Sequence, residues 1–91
     1  MNKMEQAVAI LNEWRTLAAA RIPTPAQREQ QTALAKQYEA LKVNVLVTSA
    51  CGSYTWKVCE LHPWRGTLGV VTLSGQAMNI LHDDANNARA S

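Results

Sequence analysis

The sequence predicts an α+β domain in which an N-terminal antiparallel helical hairpin packs on a three-stranded antiparallel β-meander, followed by a short C-terminal helix. Three observations predict it. Two helical segments with capping signals flank "RIPTP", Arg21 to Pro25; the apolar period changes from helical to twofold at Val43; and Gly52-Ser53 divides two alternating runs.

Asn2 and Glu5 have the spacing of an N-cap and its N3 partner. Met4, Ala7, Val8, Leu11, Trp14, Leu17 and Ala18 then recur at helical spacing, which predicts a helix over Asn2 to Ala20. Pro23 disfavours helical backbone at Ile22 and closes the segment. Thr24, Pro25 and Gln27 supply the N-cap, the first helical position and a capping-box partner for a second helix, Pro25 to Lys42. Its apolar stripe of Ala26, Ala33, Leu34, Tyr38 and Leu41 is thin, and "QREQQT" is wholly polar, which places the first half in solvent. So short a link makes the two helices an antiparallel hairpin.

"VNVLVTSAC" and "YTWKVCEL" flank Gly52-Ser53, and glycine at the first central position suits a two-residue type II′ turn. That turn opposes Cys51 to Tyr54, Ser49 to Trp56, Val47 to Val58 and Val45 to Glu60. One face then carries Val43, Val45, Val47, Cys51, Tyr54, Trp56 and Val58 and takes the helices. The more polar face carries Asn44, Leu46, Thr48, Thr55, Lys57, Cys59 and Leu61. "TLGVVTL", Thr67 to Leu73, is the third strand. Ser74 can cap a short last helix holding Ala77, Met78, Ile80 and Leu81, and residues 83–91 form a frayed tail.

At 91 residues the chain, 1–91, is a single domain, and 47% hydrophobic residues suffice for a core without staples. The N-terminus has acids early and no long apolar run, which excludes a secretory signal, and no stretch approaches a membrane span. The expected location is the cytoplasm, with no membrane partner and with Cys51 and Cys59 reduced. The nine basic and seven acidic residues interleave along the chain, so no cationic run exists to track phosphates.

Cys51, Cys59, His62 and His82 match no common zinc spacing, and the register above puts the two cysteines on opposite sheet faces, which also disfavours a disulfide. A Cys59 nucleophile with His62 as base lacks any local signature. Asp83 and Asp84 sit on a polar tail, and the glycines at 52, 66, 69 and 75 are scattered instead of forming a phosphate loop. The expectation is therefore a protein that is not an enzyme and has neither metal nor cofactor.

The remaining signal is "HPWRG", His62 to Gly66, in the link between the second and third strands. Trp14 and Trp56 have core positions by periodicity; Trp64 has none and adjoins Arg65, and these are the two residue types richest in interface hot spots. Trp64 either anchors a partner or folds back as a lid on the core. His62, Trp64 and Arg65 are the predicted binding residues. A small chain without catalytic motifs points to a protein-interaction module, an accessory or inhibitor protein of phage or mobile-element type that binds and blocks a larger protein or complex. The alternative is a small winged-helix-like nucleic-acid-binding regulator, with "QREQQT" on its recognition helix, although Glu29 offsets Arg28 and the hairpin tip is not basic. Unpaired sheet edges would also admit homo-oligomers.

Overall fold

The computed structural model describes residues 2–20, 22–49, 52–62 and 66–85. Helix α1 spans Lys3–Ala18, and its N-cap is Asn2, whose Oδ1 accepts the Glu5 N–H at 2.8 Å. Helix α2 spans Pro25–Leu41 behind a reciprocal capping box. The Gln27 N–H donates to Thr24 Oγ1 at 3.2 Å, and the Thr24 N–H donates to Gln27 Oε1 at 2.8 Å. Both caps are where the sequence put them. The buried stripe of α2 differs: Ala26 and Ala33 are exposed, while Gln31, Leu34, Ala35 and Tyr38 are buried. These four follow the i, i+3, i+4, i+7 spacing of one helix face, so geometry carries a glutamine into the core where composition alone suggested solvent.

Four strands follow: β1 Val45–Thr48, β2 Thr55–His62, β3 Thr67–Thr72 and β4 Ala77–Leu81, paired antiparallel in the order β1-β2-β3-β4. The meander therefore has a fourth strand where a C-terminal helix was expected. The Gly75 N–H donates to the Thr72 carbonyl at 2.9 Å, Gly75 has φ of 95°, and the Gln76 N–H donates to Thr72 Oγ1 at 3.0 Å. This turn returns "AMNIL" along β3, and so short a segment cannot sustain a helix against a ready-made ladder.

The β1–β2 connection uses the same device. Gly52, at φ of 76°, donates its N–H to the Ser49 carbonyl at 2.9 Å, and Ser49 Oγ accepts the Tyr54 N–H at 3.1 Å. The turn is therefore longer than the expected two residues, and the register moves by two: Val45 opposes Val58 and Val47 opposes Trp56. A slip of two preserves the faces. Val45, Val47, Trp56 and Val58 are buried as expected and Val43 is half-buried. Tyr54 is instead 64% exposed, its ring stacked on Trp56 with centroids 6.3 Å apart. Cys51 lies outside the described residues.

A β-bulge between Val58 and Glu60 corrects a second expectation. One extra residue reverses the alternation beyond it, so Leu61, assigned to the polar face, is 3% exposed in the core, opposite Leu68. Ala7, Leu11 and Trp14 of α1 and Leu34, Ala35 and Tyr38 of α2 complete that core. Tyr38 ties helix to sheet through its hydroxyl, which donates to the Val58 carbonyl at 2.5 Å and accepts the Val45 N–H at 3.1 Å.

After β4 the chain makes a 3-10 turn, His82–Asp84, and Ala85 pairs with Ser49 at the end of β1. This bridge brings the chain after the last strand back to the first. The Arg15 guanidinium locks this closure, donating to the carbonyls of His82 (3.2 Å) and Ala85 (2.5 Å). Residues 83–85, expected to belong to a frayed tail, instead complete the 3-10 turn and the bridge to Ser49, with Ala85 buried; residues 86–91 lie outside the described residues.

Candidate interaction surface

Of the three predicted binding residues, Trp64 and Arg65 lie outside the described residues, and His62 is the last residue of β2. The two feet of their loop are well defined. His62 pairs with Thr67, and the Gly66 N–H donates to the His62 carbonyl at 3.1 Å. Gly66, at φ of 65°, takes a conformation that favours glycine, and its carbonyl accepts the His82 N–H at 3.0 Å. His82 is in turn held from beneath, its ring edge-to-face with Trp14 at 6.3 Å and 88°. The described residues on either side of positions 63–65 are therefore anchored to β2, β3 and the segment after β4.

Three cross-strand rows occupy the sheet face turned away from the helices. His62, Thr67 and Leu81 adjoin the loop; Glu60, Gly69 and Asn79 come next; Leu46, Lys57, Val71 and Ala77 lie beyond. His62 Nε2 lies 3.6 Å from Glu60 Oε2 along the bulged strand. Gly69 makes room for this pair, since a Cβ there would stand 3.0 Å from His62 Nε2 and 3.2 Å from Glu60 Cβ. Sequence reasoning passed over Glu60 and Gly69 because the bulge decides which sheet face Glu60 and His62 share and sets Glu60 opposite a glycine. The available signal was a glycine inside an apolar strand, which marks close approach by a neighbour.

Among the described residues no group of three or more His, Cys, Asp or Glu could hold a metal ion. Cys59 is a free thiol, half-buried at the bulge, with Sγ 3.7 Å from the Lys57 carbonyl oxygen, and the carboxylate beside His62 is that of Glu60. His82 Nδ1 lies 3.1 Å from Asp83 Oδ1, so the two histidines serve separate carboxylates. A depression lined by Asn12, Arg15, Thr16, Ala19, His82 and Asp83 lies beside the closure. Arg15 spends its guanidinium on two backbone carbonyls there. Burial lowers the pKa of Arg15 from its ordinary value, and the charge of Asp83 opposes that shift. Among the described residues, no helix is long and apolar enough to cross a membrane.

No family model matches the chain, no curated protein matches it, and no solved structure matches its fold.

Proposed function

We propose that the chain is a non-enzymatic protein-interaction module that binds and blocks a larger protein or complex, an accessory or inhibitor protein of phage or mobile-element type, with the loop bearing Trp64 and Arg65 as its anchor. The observation that carries this reading is the mounting of the loop. Its feet, His62 and Gly66, are hydrogen-bonded to each other, and the Gly66 carbonyl also accepts the N–H of His82, whose ring packs edge-to-face on the buried Trp14. With His62 and Gly66 already held in place, neither has to be ordered when a partner binds, which favours affinity.

The partner is to be recovered by affinity capture from the host lysate, with and without nuclease, and identified by mass spectrometry. Trp64→Ala then weakens the captured complex by about 2 kcal/mol or more while the melting temperature holds, and Arg65→Ala acts in the same direction but less. If Trp64→Ala lowers the melting temperature and leaves affinity per folded molecule unchanged, Trp64 is a lid on the core and the reading fails. Recovery of nucleic acid alone, with steep salt dependence, would instead favour a nucleic-acid-binding regulator.

A further inference from the structure

The two edges of the sheet are finished differently. At the β1 edge Ser49 pairs with Ala85, and Arg15 holds that segment in place. Among the described residues, no strand pairs with the outer side of β4. The bonds from His82 N–H to the Gly66 carbonyl and from Thr72 N–H to the Gln76 carbonyl fix the alternation of the β3–β4 ladder. Gln76, Met78, Ile80 and His82 turn their backbone groups toward β3, so Ala77, Asn79 and Leu81 turn theirs away from the sheet. All three are exposed. Proteins usually blunt such an edge with lysine, proline, a bulge or an inward charge, and "QAMNIL", Gln76 to Leu81, has none of these.

We infer that β4 pairs antiparallel with β4 of a second copy of this chain, about a twofold axis at Asn79, so that one sheet runs through both copies. The case for a second copy rests on self-complementarity. In a twofold pairing any charge near the axis meets its own sign, and here none does. Ala77 faces Leu81 of the second copy, and Met78 faces its Ile80. Asn79 meets Asn79, and an amide that both donates and accepts satisfies its own copy. Pairing also covers Leu81 and Met78, which are 56% and 42% exposed in the single chain.

The association closes on itself. Once the β4 strands pair, the outer edges of the joint sheet are the two β1 strands, each occupied at Ser49 by Ala85, so growth stops at two copies. A foreign extended segment could satisfy the same backbone groups, but the neutral, self-matching order of Ala77 to Leu81 is what a second copy requires.

Sedimentation equilibrium of the full chain from about 1 μM to about 1 mM reads the association directly. The expected result is a concentration-dependent monomer–dimer equilibrium with no larger species. The A77K/L81K variant, which sets like charges across the junction, weakens it by about tenfold or more. The A77E/L81E variant does the same, and mixing the two folded variants restores a one-to-one dimer. Circular dichroism melts confirm that each variant folds, since both positions are on the surface. A wild-type chain that stays monomeric throughout, the outcome if the edge serves a segment of another protein, overturns the proposal. So does a dimer that A77K/L81K leaves at wild-type strength, or a failure of the mixed variants to associate.

Discussion

The two halves of the sheet are built from similar strands but are supported differently. β1 and the first half of β2 lie directly under the helices: Val45, Val47, Trp56 and Val58 are buried there, and the Tyr38 hydroxyl bridges the two strands. β3 and β4 also bury Leu68, Val70 and Ile80, yet Leu73, Met78 and Leu81 around them remain largely exposed. The principal helix-to-sheet contacts are α2 on β2 and α1 on β1. The difference is one of cover: the first half lies beneath the helices, while the second half leaves Leu73, Met78 and Leu81 at the surface. Protein regions with fewer buried contacts open more readily, and binding elements are commonly drawn from them.

The comparison can be broken by substitutions on each side. Leu11→Ala, deep under β1 and β2, costs about 2–5 kcal/mol in denaturant unfolding, because it leaves a cavity that packed helices cannot fill. Tyr38→Phe costs about 1–3 kcal/mol, since both the Val45 N–H and the Val58 carbonyl lose their partner in a buried place. Arg15→Ala costs about 1–2 kcal/mol and speeds amide hydrogen exchange of Ala85 more than of Val47, because it frees the closure and spares the strands under the helices. Leu81→Ala changes the stability of the single chain by only about 0.5 kcal/mol or less. If Leu81→Ala cost as much as Leu11→Ala, the proposed division between the halves would be wrong.

Tyr38 also sharpens the comparison through pH. Burial raises its pKa to about 12, the Val45 N–H partly opposes that shift, and the charge of Cys59 adds to it. A raised folded-state pKa stabilises the fold fully below about 10, where an unfolded tyrosine is still protonated. That stabilisation is lost as pH rises from about 10 toward about 12. Urea titrations across this window show a decline that Tyr38→Phe largely removes. An equal decline in Tyr38→Phe would mean that another group carries it.

Local signals made the helices legible: Asn2, Thr24, Pro25 and Gln27 act within a few residues of themselves, and the structure uses each at its expected position. The strands beneath the helices were legible for the same reason, since Val45, Val47, Trp56 and Val58 alternate and a two-residue register error leaves alternation intact. Three features needed information from farther away. "AMNIL" has helix-forming residues, and only its return along β3 makes it a strand. Leu61 changes face because of a bulge that no residue type announces. Ala85 is too small to predict as core and is buried because Arg15 and Ser49 hold it. One missed signal was available: a hydroxyl residue three positions before a glycine, in Ser49–Gly52 and in Thr72–Gly75, marks both of these hairpin turns. As for the candidate site, the sequence singled out residues 62–66, while the pairing of Glu60 with Gly69 and the face that Glu60 and His62 share depended on the bulge.

The clasp between Arg15 and Ala85 joins residues 70 positions apart. Closing so long a span costs roughly 4 kcal/mol of chain entropy on a logarithmic scaling, before any reward from the contact itself. That cost is not met early. The helical hairpin and the turns at Gly52 and Gly75 form from near neighbours, so the clasp belongs to the last stage of folding, on the native side of the main barrier. Weakening it should therefore leave the refolding rate nearly unchanged and accelerate unfolding, so the first helix and the residues after β4 act together as a latch on how long a folded molecule stays folded.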